Sequence, residues 1–535
     1  MSQWISQNKH PDIIHGRNSL GCETAAQLLQ NSYVSDQFIC SLDYQEAYDR
    51  MHPAITFRFL QTLGWPLGFC QVLFRVWGNQ RRFIQFDNHI HDEILSVSSS
   101  TPQGCPLAPA ILALWLSSGI RFLSHHVGQV PPCLVVYVDD RTFTARSWSH
   151  MESLIQGWQQ FSTTIGLVES RSKTQVAARG RQQQASLQAN ANQEWIKQEV
   201  KFLGCNTTSQ PRQNVPEEEK RMNRALARAN LLGCTGMPWS RLVAAYRCFV
   251  ISKFGYGWVS RTPPSGLSRK LFTRLSKILK TNRNSSPWLR KVLYGANVDY
   301  ECIHTINLWN RTKKLINHDL RPNWQCKPFT GLHLLRRALK QWGWCEDSPW
   351  LWRKIPLWND SSPPEARRLD LRRGSLQPLE VQQHNIQFAY KQVCFGKFLD
   401  QNRRENRGWS FDRPRLVRAF GQVDLTQTWK SLQNCSAAGR AVLLGSFRSP
   451  MCNHHSDSTF SKVCPHCGHH TADHNHLFWV CPVMNPVGIR KPSDPLQERF
   501  GWFSLDPDPH GIGSSEYFTH MTNVVSRTWH VLHDT

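Results

Sequence analysis

The four residues Tyr137-Val138-Asp139-Asp140 constrain this chain more than any other stretch. They close an apolar run, Leu134-Val135-Val136, whose β-branched content favours a strand. On a continuing strand the two carboxylates would point to opposite faces. A tight hairpin is therefore predicted at this point, letting one carboxylate reach a metal while the other supports it. A second acidic cluster, Asp43-Tyr44-Gln45-Glu46-Ala47-Tyr48-Asp49, follows another strand-like run, Phe38-Ile39-Cys40. Three carboxylates brought together repel one another unless a cation sits among them. Hard oxygen ligands suit Mg2+, and two such ions clamp the attacking and leaving oxygens of an in-line phosphoryl displacement. Taken singly, each Asp reads equally as a turn or strand-end residue.

Charge points to the same kind of substrate. Lys plus Arg number 63 against 39 acidic residues, a net +24, which favours a polyanionic partner with salt-sensitive affinity. The 22 Trp interleaved with Arg suit base stacking as well as cores. The start, Met1-Ser2-Gln3-Trp4-Ile5-Ser6-Gln7, lacks a cleavable apolar core. The 17 scattered Cys then fit a reduced intracellular setting, with close Cys pairs as metal ligands, and a nuclear location is expected. The longest apolar run, Cys105 to Leu123, holds Pro106, Pro109 and Arg121 and reads as a buried helix, so no membrane partner is expected.

Between and after the acidic clusters the chain alternates strand and helix signals. Ala25, Leu28 and Leu29 suggest a helix; Phe69, Val72, Leu73 and Val76 form a helical stripe; Arg82 to Phe86 alternates as a strand. Thr101 to Pro109 is a proline-broken loop in which Gly104 allows close backbone approach and Gln103 offers an amide. Met151, Leu154, Ile155, Trp158 and Phe161 repeat at helical spacing. Arg179 to Gln193 reads as a solvent loop, and Glu199 to Cys205 as one strand. Pro216-Glu217-Glu218-Glu219 opens a helix with acids at its positive end. Arg221, Arg224 and Arg228 share one face of that helix.

In order and spacing, Asp43 to Asp49, Thr101 to Pro109, Tyr137 to Asp140, Gly166-Leu167 with Lys173, and Phe202-Leu203-Gly204 resemble the successive palm motifs of reverse transcriptases. The class most resembled is that of non-LTR retrotransposons (LINE-like), here N-terminally truncated because family members carry more fingers sequence ahead of this point. The resemblance implies Asp43, Asp139 and Asp140 as the catalytic metal ligands, holding two Mg2+ ions, with Mn2+ as the alternative. It implies Tyr48 as the aromatic wall that excludes a 2′-hydroxyl. It makes Gln103 and Gly104 the holders of the nascent pair, Arg17 a contact to the nucleotide phosphates, and Lys173 a charge or general acid for the leaving pyrophosphate. The bland alternatives are a surface Arg17, a core Tyr48 and an exposed Lys173.

Near the C-terminus Cys464, Cys467, His476 and Cys481 read C-x2-C-x8-H-x4-C, a ligand set for a closed tetrahedral structural Zn2+ site. His466, His469, His470 and His474 compete for the histidine position, with Cys452, His454 and His455 nearby. A similar knuckle occurs near the C-termini of LINE-like reverse transcriptases.

The expected fold is α+β: a right-hand polymerase palm of antiparallel sheet and helices. The divisions are partial fingers over 1–36, palm with fingers segments over 37–205, helical thumb over 206–300, a basic Trp-rich helical region over 301–450, a zinc knuckle over 451–490 and a tail over 491–535. The expected activity is RNA-directed DNA synthesis, with an RNA template, a DNA primer or target DNA and dNTPs as partners. The alternatives are an RNA-dependent RNA polymerase, which Tyr48 disfavours, and a catalytically impaired or domesticated remnant that binds RNA without synthesis.

Overall fold

The computed structural model describes residues 21–78, 80–86, 89–97, 100–102, 105–126, 128, 131–208, 216–259, 262–281, 285–317, 330–348, 350–354, 368–373, 375, 377–404, 413–506 and 508–533. Two compact units divide the chain. One takes residues 1–213, 256–262 and 311–334, the other 214–255, 263–310 and 335–535.

The first unit is built on a four-stranded antiparallel sheet. Its strands are β1 (Phe38–Leu42), β4 (Cys133–Tyr137), β5 (Asp140–Ala145) and β6 (Gln175–Ala178), in the order β4-β5-β1-β6. Every residue of β1 is buried, as expected for a central strand covered on both faces. One face meets helix α1 (Cys22–Asp36), which packs on β4 and β5. The other meets the long α4 (Ala108–His126) and α5 (Trp148–Thr164), which pack together. On α5 the buried residues include Met151, Leu154, Ile155, Trp158 and Phe161, the stripe read from the sequence. Gly119 of α4 makes this packing possible: a Cβ there would lie 2.6 Å from the Trp158 ring and 2.7 Å from that of Phe161. Neither ring can yield, because both are buried.

Around this core run α2 (Pro53–Thr62), α3 (Leu67–Gly78) and the hairpin of β2 (Gln80–Phe86) and β3 (His89–Val97). Three sequence expectations change here. Helix α3 buries Cys70 and Trp77, while Val72 and Val76 of the expected stripe are exposed. Residues 179–193 contain a helix, α6 (Arg181–Asn190), where a loop was expected; its Gln, Ala and Leu are good helix formers, and Leu187 is buried. The expected strand through Cys205 is two strands, β7 (Glu199–Phe202) and β8 (Cys205–Thr208), folded back at Leu203-Gly204.

The second unit is largely helical. It includes α7 (Pro216–Gly233), α8 (Trp239–Tyr246), α9 (Ser265–Ile278) and α10 (Leu379–Arg404), with a three-stranded sheet of β9 (Trp344–Ser348), β10 (Leu351–Lys354) and β11 (Arg368–Asp370) in the order β11-β10-β9. Residues 514–533, expected as tail, form helix α11 (Ser514–His533). Its Met521, Val524 and Val525 form one apolar face, buried against Leu477, Phe478, Cys464 and Cys481.

Candidate active site and candidate metal centre

The hairpin predicted at Tyr137–Asp140 is present. Tyr137 pairs with Asp140 across the two-residue turn Val138-Asp139. Val138 has φ of 58°, whereas Asp139 keeps a negative φ, so the turn follows the II′ pattern that matches strand twist. A β-branched residue in that region stores about 1–3 kcal/mol of strain, the kind of cost that functional turns carry. Because β5 lies between β4 and β1 with Leu42 opposite Arg141, the next position along the register sets Asp43 beside Asp140. Asp43, Asp139 and Asp140 thus share one end of the sheet.

Their charges feel one another. Burial, then the Asp139 and Asp43 charges, push the Asp140 carboxyl up to about 6, with Lys173 and Arg141 pulling it back. Asp139 is also raised, chiefly by burial, with Asp43 adding repulsion. Asp43 is drawn aside: its Oδ2 lies 2.7 Å from Nζ of Lys173, whose ammonium this partner keeps protonated to higher pH. The Asp43 carbonyl also accepts from the Ser170 N–H at 2.8 Å, which ties the Lys173 turn to β1. The three carboxylates are not gathered into a ready metal cluster; among the described residues one such cluster exists, at Cys464. Burial and mutual repulsion hold the Asp139 and Asp140 carboxyls above the usual carboxylate range, and a hard divalent cation fits that deficit of positive charge.

The sign of the Asp140 shift gives a prediction. A carboxyl whose folded pKa is raised binds its proton more tightly in the folded chain, so stability falls as pH rises from about 4 through about 6. In EDTA at pH 7, Asp140→Asn is expected to unfold at higher denaturant than wild type, by about 1–2 kcal/mol after allowing for partial exposure. The gap should close near pH 4. Equal midpoints at pH 7 would show that the carboxylate carries no such load.

Tyr48 belongs to the same site. Burial, with the Asp139 charge, pushes its hydroxyl up to about 12. Its carbonyl accepts from the Thr101 N–H at 2.9 Å and the Thr101 hydroxyl at 3.1 Å, fastening the start of the 101–109 loop to the helix after β1. Gln103, Gly104 and Arg17 lie outside the described residues.

Sequence reasoning missed what lies beneath the carboxylates. Arg141 is fully buried, and its two terminal nitrogens donate to Glu169 Oε1 at 2.7 Å and Oε2 at 2.6 Å. Its guanidinium lies 3.6 Å from the centroid of the Tyr44 ring. The Ser162 hydroxyl donates to Glu169 Oε1 at 2.6 Å and lies 3.1 Å from the Tyr44 hydroxyl. The available signal was alternation: residue 141 falls on the same side of β5 as Phe143 and Ala145, and an Arg at such a position demands a buried partner. Glu169→Ala would strand the guanidinium, at about 3–5 kcal/mol. Denaturant unfolding should register that loss; a change within 0–1 kcal/mol, as for an exposed pair, would refute it.

In the second unit Cys464, Cys467, His476 and Cys481 bring one ligand atom each to within 4.8 Å of the others. Cys464 and Cys481 sulfurs are 3.9 Å apart, and Cys467 Sγ is 3.3 Å from His476 Nε2. Tetrahedral bonds of about 2.3 Å to sulfur imply sulfur separations of about 3.8 Å, so the set fits zinc. Two of the competing histidines are occupied elsewhere: His466 Nε2 meets Thr528 Oγ1 at 3.2 Å, and His474 bonds the Phe447 carbonyl at 3.1 Å. His469 stacks on the His476 ring at 4.5 Å between centroids.

No helix among the described residues is long and apolar enough to cross a membrane. No curated protein matches the chain. Among solved structures, the chain is similar to the telomerase from Candida albicans in complex with a TWJ fragment of telomeric RNA. That match has 12% identity and a TM-score of 0.26, covers 63% of this chain and spans 55% of the length of the telomerase chain. The family model for reverse transcriptase (RNA-dependent DNA polymerase) matches residues 5–207, the stretch that contains the carboxylate hairpin, Tyr48 and Lys173. The chain therefore carries a reverse transcriptase domain in residues 5–207.

Proposed function

We propose that the protein is an RNA-directed DNA polymerase of a non-LTR, LINE-like retrotransposon, extending a DNA primer on an RNA template with dNTPs. The observation that carries this reading is that Asp43, Asp139 and Asp140 share one end of the sheet, with Lys173 on Asp43 and Tyr48 within the field of Asp139. In the reaction the primer 3′-oxygen bonds the α-phosphorus of the dNTP and the bond to pyrophosphate breaks. Two divalent cations, Mg2+ by ligand chemistry, would lower the charge barrier at the attacking and leaving oxygens when bound. Asp43, Asp139 and Asp140 would hold them. Lys173, whose ammonium pairs with Asp43 here, offers a point charge or a proton to the departing pyrophosphate. Tyr48 forms a half-buried wall beside Asp139 against which a 2′-hydroxyl would clash.

On this reading 1–36 are partial fingers, 37–205 palm with fingers segments, 206–300 helical thumb, 301–450 a basic Trp-rich region, 451–490 a knuckle that would hold Zn2+ as a structural ion, and 491–535 the C-terminal segment. The net +24 supports a polyanionic template and primer. Primer extension on poly(rA)/oligo(dT) tests the reading: Mg2+-dependent dTTP incorporation supports it. Preference for rNTPs would favour an RNA polymerase. Binding of the hybrid without incorporation would leave a remnant that only holds RNA.

A further inference from the structure

The chain segment Tyr256-Gly257-Trp258 returns to the first unit and is anchored there. The Gly257 N–H donates to Glu23 Oε1 at 3.1 Å, Arg311 Nη1 lies 3.5 Å from the same oxygen, and Trp258 and Val259 are buried. The Tyr256 hydroxyl donates to the Leu203 carbonyl at 2.6 Å. Leu203 and Gly204 are the two central residues of the β7–β8 hairpin, with φ of 49° and 74°. Positive φ at both positions is the I′ pattern that Asn-Gly or Gly-Gly fills without cost. A leucine in the first position is there against its preference, and the one carbonyl that would loosen with it is held by Tyr256. The fit is close, since a Cβ on Gly204 would lie 3.2 Å from the Tyr256 ring.

The same tyrosine is linked to the carboxylate hairpin. Tyr137 is the residue that pairs with Asp140. Tyr137, Leu203 and Tyr256 also pack on one apolar cluster with Ala25, Leu29, Val135 and Phe202. Two strained turns, Val138-Asp139 and Leu203-Gly204, are therefore joined through this cluster and the Tyr256–Leu203 bond.

We infer that Tyr256 is a positioning residue: by holding the Leu203 carbonyl it fixes the Leu203-Gly204 turn and, through the apolar cluster that Leu203 and Tyr256 share with Tyr137, the placement of the Val138-Asp139 turn and its carboxylates. The positioning role rests on the polymerase reading, whereas the latch itself does not. Tyr256→Phe removes only the hydroxyl. In the full chain it should speed amide hydrogen exchange across residues 202–206 by at least about tenfold, with the melting temperature unchanged. Unchanged exchange overturns the latch. On poly(rA)/oligo(dT), kcat should fall by about tenfold to a hundredfold, as a small misplacement does, while the KM for dTTP stays within about twofold. A kcat equal to wild type overturns the positioning role, and so does a loss explained by KM for dTTP alone. Gly204→Ala, which crowds the same contact from the other side, should give the same split. If wild type itself incorporates no dTTP, the polymerase reading fails and takes the positioning role with it, while the exchange measurement still decides the latch.

Discussion

Asp139→Asn should abolish Mg2+-dependent dTTP incorporation on poly(rA)/oligo(dT), by at least about a thousandfold, while leaving the fold intact. The substitution keeps the size of the side chain and removes one negative charge from the end of the sheet. A bound divalent cation supplies several kcal/mol of transition-state stabilisation, and each 1.36 kcal/mol is about a factor of ten in rate. Asp139 is half-buried and already carries repulsion from Asp43, so the neutral variant relieves the metal-free protein even as it strips the cation of a ligand. The opposed signs make the experiment decisive: activity lost with unfolding unchanged or shifted to higher denaturant supports a metal-holding carboxylate. Incorporation within tenfold of wild type would remove Asp139 from the chemistry. Loss of activity together with early unfolding would instead make it a structural turn residue.

On the proposed zinc reading, removing the metal is expected to cost the second unit several kcal/mol and to melt helix α11 along with the knuckle. Binding energy at a structural zinc site is folding energy, because the unfolded chain offers no preformed site. Cys464 and Cys481 sit in the same apolar cluster as Leu477, Phe478 and the buried face of α11, so loosening the ligands exposes that face. Burial pushes the Cys464 thiol up to about 11. A thiol must give up its proton to bind metal, so zinc retention should weaken as pH falls. Metal analysis of the purified protein should find about one zinc per chain. A strong chelator, or Cys481→Ser, should lower the unfolding midpoint and the helical signal in circular dichroism. An unchanged midpoint in chelator, with no zinc detected, would mean that the four side chains meet without a metal.

Local signals were sufficient for part of this architecture. The apolar run before Asp139-Asp140, ended by two adjacent carboxylates, was enough to predict a hairpin, and the structure has one with its turn at Val138-Asp139. The helical spacing of Met151 to Phe161 identified the buried face of α5, because a 3.6-residue period leaves few other folds for such a stripe. The Cys-x2-Cys pair narrowed the knuckle to four ligands and several spare histidines. Distance in space then chose His476, since the competing His466 and His474 are turned to Thr528 and to the Phe447 carbonyl. Local reading failed where partners lie far along the chain. Val72 and Val76 have the right spacing for a core face, yet α3 buries Cys70 and Trp77.

By itself, then, the sequence determined which residues carry charge, which runs must be strands or helices, and where the chain turns, since those follow from side-chain chemistry and from periods of two and 3.6 residues. Only the tertiary structure decided that Asp43 stands beside Asp140, because that depends on β5 pairing with β1 in one register across a hundred intervening residues. It alone set Arg141 on Glu169 and the Tyr256 hydroxyl on the Leu203 carbonyl, where a buried charge and a strained turn each require a partner that no local pattern announces.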